Sequence, residues 1–91
     1  MTQQVTASHI LVNTIEEAVS LQNQIFEGAD FGELAKTHSR CPSGATGGVL
    51  GTFGPGQMVP DFEKAAFGLD VGQLSDPVQT QFGIHLIHRT G

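Results

Sequence analysis

Thr80-Gln-Phe-Gly-Ile-His-Leu-Ile-His88, close to the C-terminus, is the stretch from which the rest of the chain is best read. Side chains along an extended segment alternate between two faces, and here His85 sits between Ile84 and Leu86 in a strand-like apolar run. Near the other end, Ala7-Ser-His-Ile-Leu-Val12 does the same with His9. An imidazole withdrawn from water needs a partner for each ring nitrogen. Two strands laid side by side would let each histidine answer the other, so that pairing is predicted to be the centre of the fold.

Between these strands the helix signals are local. Val5 to Val12 reads as strand one, and Thr14-Ile-Glu-Glu17 carries the S/T-x-x-E pattern of a capping box. A first helix is predicted from Ile15 to Glu27, with Ile15, Ala18, Val19, Ile25 and Phe26 as its apolar stripe and Gly28 to end it. Asp30-Phe-Gly-Glu33 repeats the capping logic, and a short second helix over Phe31 to His38 should bury Phe31, Leu34 and Ala35. Ser39 to Gly56 holds six glycines and two prolines, too much backbone freedom for a long helix. That region is read as loop, a short strand from Val49 to Phe53, and a turn at Gly54-Pro-Gly56. Pro60 suits a helix's first turn, and Phe62, Ala65, Ala66 and Leu69 follow at helical spacing, giving a third helix from Pro60 to Gly68. Gln73 to Ser75 is read as a brief pairing inside a turn-rich link, and Thr80 to Arg89 as one final strand. Such an order suits an α+β domain with a small antiparallel sheet and helices packed on it.

Composition narrows the function classes. A length of 91 residues predicts a single domain spanning 1–91. With 4 Lys+Arg against 9 Asp+Glu the formal charge is -5 and no basic cluster occurs, which argues against nucleic acid and anionic membranes. Neutral, apolar or basic partners are expected instead. One cysteine makes no internal disulfide, no apolar run approaches the ~20 residues of a membrane span, and the N-terminus lacks a secretory pattern. The default expectation is a soluble cytoplasmic monomer, or a domain excised from a longer exported chain.

Two constellations could carry chemistry. His9, Cys41 and His85 could form a cysteine nucleophile with bases, as in a hydrolase, although no oxyanion element or nucleophile elbow accompanies them. Zinc is disfavoured, because the strand histidines lack close ligand spacing and there is no second cysteine. No metal or other cofactor is expected, and Gly-Ala-Thr-Gly-Gly48 lacks the lysine and following helix of a phosphate-binding loop. The second constellation is apolar: Leu50, Met58, Phe62 and Phe82, with Gln57 adjacent. They read either as ordinary core or as the lining of a recess for an aliphatic or aromatic ring, since Met58 lies in a turn-rich segment outside the third helix. His38 and His88 are read as solvent-facing.

Taken in order, several blocks resemble one family. Ser8-His-Ile-Leu-Val12, Asp30-Phe-Gly-Glu-Leu-Ala-Lys-Thr-His-Ser39, Cys41-Pro-Ser-Gly44, Gly47-Gly-Val-Leu-Gly51, Gly56-Gln-Met-Val-Pro60, Phe62-Glu63, Ala66-Phe67 and Thr80-Gln-Phe-Gly-Ile-His85 are similar to the signature blocks of parvulin-type peptidyl-prolyl cis/trans isomerases. The likeness covers Val5 to Thr90, and the chain's brevity resembles single-domain prokaryotic parvulins. It implies the parvulin/FKBP-like fold, a four-stranded antiparallel sheet surrounded by four helices, with one short helix from the glycine-rich region.

The resemblance also implies roles. His9 and His85 would be the family's paired histidines, with Thr80 nearby and Cys41 at a position that takes Cys or Asp. Leu50, Met58 and Phe62 would hold a substrate proline ring, Phe82 would form a further wall, and the Gln57 amide would contact substrate backbone. Members selective for phosphoserine or phosphothreonine before proline carry Lys and Arg after the first strand. Here that place is Asn13-Thr-Ile-Glu-Glu17, neutral to acidic. The expected activity is non-covalent isomerisation of unphosphorylated X–Pro bonds in unfolded or extended segments, assisting folding. The alternative is a holdase-like peptide-binding module with little turnover.

Overall fold

The computed structural model describes residues 4–91. β1 (Val5–Val12), α1 (Ile15–Phe26), α2 (Phe31–His38), a 3-10 helix (Pro42–Thr46), β2 (Val49–Phe53), α3 (Pro60–Phe67), β3 (Val78–Thr80) and β4 (Gly83–Arg89) follow one another. The sheet runs in the order β2-β1-β4-β3, every neighbouring pair antiparallel. The two histidine-bearing strands are therefore its centre.

The helix starts are built as the sequence signals require, with one difference. The Thr14 hydroxyl accepts from the Glu17 N–H at 3.2 Å, and Asp30 accepts from the Glu33 N–H at 3.0 Å, each quieting a donor that a helix start leaves unpaired. The Glu17 carboxylate, however, takes the Thr14 hydroxyl at 3.3 Å rather than a backbone N–H. Pro60 opens α3 without a side-chain cap.

Strand alternation divides the core in two. On one face Val5, Ala7, Phe53 and Ile87 pack with Phe62, Ala66 and Leu69 from α3 and its end. On the other, Ile10, Val12, Ile84 and Leu86 pack with Ala18 and Leu21 of α1 and Ala35 of α2. His9 and His85 belong to the α3 face. Backbone bonds also tie the ends of the domain together, from the Thr6 N–H to the Gly91 carbonyl (3.1 Å) and from the Thr90 N–H to the Thr6 carbonyl (2.8 Å).

Four expectations need correction. The stretch from Thr80 to Arg89 is not one strand: Thr80 pairs with Gly83 across a two-residue turn at Gln81-Phe82, so β3 ends where β4 begins. The glycine-rich region contains a 3-10 helix where its composition suggested loop, so the sheet is flanked by three α-helices and that 3-10 helix among the described residues. In α1 the core takes Ala18 and Leu21, while Ile15 and Phe26 stay 53% and 69% exposed. His88 does not face solvent freely; it lies half-buried with its ring 5.4 Å from that of Phe31. The brief pairing near Gln73 to Ser75 is an isolated bridge between Leu74 and His88.

Candidate active site

The site begins with register. β1 and β4 pair His9 with Ile87 and Leu11 with His85, which leaves the two histidines diagonal neighbours on one face. Their Nδ1 atoms lie 3.0 Å apart, and the rings stack with centroids 5.2 Å apart at 18°. The Nε2 of His85 lies 2.7 Å from the Thr80 hydroxyl, which in turn accepts from the Phe82 N–H at 3.2 Å. Thr80 stands at the end of β3 beside the hairpin turn, so the turn that divides the final segment is also what delivers this hydroxyl.

Two Nδ1 atoms at that distance share one proton, because two facing N–H groups would repel. That excludes two charged rings at once, and burial, which lowers the pKa of each ring, favours two neutral imidazoles at neutral pH. Burial lowers the pKa of His9 from 6.5 to about 4, with a positive His85 opposing its charge as the second cause. Burial lowers that of His85 as well. Since the folded values lie below 6.5, the unfolded chain binds more protons as the pH falls through 6.5 towards about 4. Stability contributed by the pair is present above that window and lost within it. The His9 shift alone corresponds to on the order of 3 kcal/mol. Urea unfolding at neutral pH and near the lower end of the window, with ring-proton NMR to follow each imidazole, measures this. Equal stability at both ends would refute the account.

Above the pair lies a cavity of about 450 Å³. Phe62 of α3 forms its floor with the histidines, edge-on to both rings at 5.5 and 5.2 Å, and is only 3% exposed. Leu50 reaches the cavity through a bulge in β2: Ala7 pairs with Gly51 and Ser8 with Val49, leaving Leu50 as the extra residue. Met58 lines it half-buried from the segment before α3, and Phe82 stands at the hairpin turn, 63% exposed. Gln57 also lines it, its side-chain oxygen accepting from the Gly54 N–H at 2.7 Å. That leaves the amide nitrogen as the group it can offer. The Gly56 N–H is held by the Glu63 carboxylate of α3, which fixes the turn carrying Gln57 and Met58.

Cys41 lines the cavity wall just before the 3-10 helix. A cysteine hydrolase would need a base for it; His85 has both ring nitrogens engaged, one by His9 and one by Thr80, and His9 has its Nδ1 engaged by His85. No group of three metal-ligating side chains occurs among the described residues. Thus His9, Cys41, Leu50, Gln57, Met58, Phe62, Phe82 and His85 come together at one cavity, with Thr80 bonded to His85 behind it. Sequence reasoning missed four lining residues: Leu11, Arg40, Pro42 and Val59. Leu11 was accessible in principle, being two positions beyond His9 on the same strand face.

A family model described as "Rotamase: PPIC-type PPIASE domain" matches residues 4–91. The chain belongs to this family. The rotamase domain is 49% identical over 87 residues to the foldase protein PrsA of Geobacillus sp. (strain WCH70), a match covering 94% of this chain and 32% of that protein. It is similar to the crystal structure of the peptidylprolyl isomerase PrsA from Bacillus anthracis, with a TM-score of 0.96, 46% identity, and 99% and 42% of the two chains covered. The solution structure of NmPin, the parvulin of Nitrosopumilus maritimus, gives a TM-score of 0.91 with 41% identity over 100% of this chain and 99% of that one. The rotamase domain spans about a third of the length of the curated foldases it matches. No helix among its described residues is long and apolar enough to cross a membrane.

Proposed function

We propose that this domain catalyses cis/trans isomerisation of unphosphorylated X–Pro bonds in unfolded or extended polypeptide segments, without a covalent intermediate, and so assists folding. The observation that carries the reading is the cavity of about 450 Å³, walled by Leu50 and Met58 and floored by Phe62 over two neutral, mutually bonded imidazoles. Rotation about an X–Pro bond crosses a barrier of ~18–20 kcal/mol, and the free reaction takes tens to hundreds of seconds. At the twisted midpoint the amide has lost its resonance and much of its dipole. An apolar recess that strips water from the prolyl ring favours that form over the planar, more polar one.

Leu50, Met58 and Phe62 hold the ring in this reading. The carbonyl before proline swings past Cys41, whose thiol tunes the local polarity without attacking. The Gln57 amide nitrogen holds substrate backbone, and Phe82 closes the far wall. The His9–His85–Thr80 chain keeps the floor rigid, so that the recess fits the twisted geometry better than either planar isomer. Each of these parts comes from one chain, which supports action as a monomer.

Exchange NMR on an unphosphorylated X–Pro tetrapeptide tests the reading. Met58 is half-buried, so Met58→Ala should leave the fold intact and lower kcat/KM about tenfold, a loss near 1.4 kcal/mol. An unchanged rate in that variant would remove the ring-pocket assignment. The exposed Phe82 at the cavity mouth favours a second reading, a module that grips extended peptide with little turnover. It would suppress client aggregation while leaving proline-limited refolding no faster.

A further inference from the structure

Among the described residues that line the cavity, Arg40 is the one with a permanent charge, and no carboxylate lines it at all. This is unusual in a chain whose formal charge is -5. The position of Arg40 is firmly set. Its N–H donates to the Leu11 carbonyl at 2.7 Å, and on either side the N–H groups of Leu11 and Cys41 donate to the Ser39 hydroxyl at 3.0 and 3.3 Å. The backbone is thus stitched to β1 at the cavity rim. The side chain is exposed and enters no ion pair; Lys36 with Glu33 is the one such pair among the described residues. No hydrogen bond or ion pair among the described residues engages the guanidinium, and it overlooks a recess walled by apolar groups.

We infer that Arg40 is a specificity-determining residue that selects substrates with a carboxylate side chain, glutamate or aspartate, immediately before the proline. This rests on the isomerase reading. With the prolyl ring on Leu50, Met58 and Phe62 and the preceding carbonyl beside Cys41, the side chain of that preceding residue emerges next to Arg40, the neighbour of Cys41 in the chain. The overall negative charge of the protein opposes acidic segments at long range, so the selection is local and acts on one side chain. A single guanidinium supplies a fork for a carboxylate but not the several cations that a dianionic phosphate draws on.

The experiment is exchange NMR on capped Ala-Xaa-Pro-Phe peptides with Xaa as Glu, Gln, Lys or phosphoserine, using the wild type, R40A and R40E. The readout is the ratio of kcat/KM between peptides within one protein, so that any general loss of activity cancels. In the wild type, Glu is expected to exceed Gln by roughly three- to fivefold, the scale of a solvent-exposed ion pair, and Lys to fall below Gln. The Glu-to-Gln ratio should shrink when salt is raised from about 50 to about 300 mM, approach one in R40A, and invert in R40E. Equal rates for Glu and Gln in the wild type, or a preference that survives in R40A, would overturn the inference, as would phosphoserine exceeding Glu more than tenfold. Absence of catalysis on the Gln peptide would instead bring down the isomerase reading beneath it.

Discussion

Phe62→Ala is expected to cost the domain about 3–5 kcal/mol of stability and to eliminate measurable isomerase turnover. Phe62 is 3% exposed and belongs both to the core between α3 and the sheet and to the floor of the cavity. Its ring meets His9 and His85 edge-on and lies 6.1 Å from the ring of Phe53. Truncation would leave a void on one side and two imidazoles without their apolar cover on the other. For a domain whose total stability is about 5–15 kcal/mol, that is a large fraction. Phe62→Leu separates the two effects: it keeps most of the volume and the fold, but removes the ring edge presented to the histidines. Urea unfolding and exchange NMR on both variants measure this. A loss below about 1 kcal/mol in Phe62→Ala would show that the site is not built on this ring.

Gly48→Ala should be comparably damaging for a backbone reason. Gly48 has φ +82°, and a Cβ there would run into the carbonyl oxygen of His9 and approach the Ala35 side chain to 3.2 Å. Its own carbonyl accepts the His9 N–H at 2.9 Å. A methyl group at this point pushes β2 away from β1 beside the histidine pair and displaces the bulge that presents Leu50. A loss of about 3 kcal/mol or more is expected. Gly51→Ala and Gly56→Ala are the controls, because both have similarly positive φ but nothing within 4 Å of the added atom. They should lose only the cost of a left-handed backbone, about 1–2 kcal/mol. If all three variants unfold at the same urea concentration, the close approach to His9 has no energetic consequence.

The parts of this structure that could be read from the sequence are those set by nearby residues. β1 and α2 have the expected limits, and α1 and α3 each end one residue earlier than expected. Capping side chains and glycine or proline punctuation fix such boundaries within a few positions. The hairpin was not legible, because Gln81-Phe82 carries none of the Asn-Gly or Asp-Gly signals of a two-residue turn. Gly83, at φ 141°, supplies the unusual backbone instead, and the apolar run continues through it. In α1 two apolar stripes compete, Ile15-Val19-Phe26 and Ala18-Leu21-Ile25. Only the sheet decides which is covered, so periodicity ran Ile15, Ala18, Val19, Ile25 and Phe26 together and left out the buried Leu21. At the site, the choice between core and cavity for Met58 and Phe62 depended on what lies above them, which no local pattern encodes. The resemblance pointed to the recess, and Phe62 proves to be core and floor together. Arg40 escaped notice because an exposed arginine in a loop has no periodicity to betray it.

The two central strands of the sheet are also the first and the last to be made. His9 and His85 are 76 residues apart, and their Nδ1–Nδ1 contact cannot form until β4 is available. During synthesis, while β4 remains inside the ribosomal exit tunnel, β1 has only β2 beside it and the floor of the cavity lacks His85. On the proposed isomerase reading, a nascent copy of this domain cannot begin to serve other chains part-way through its translation: its competence arrives with the emergence of β4.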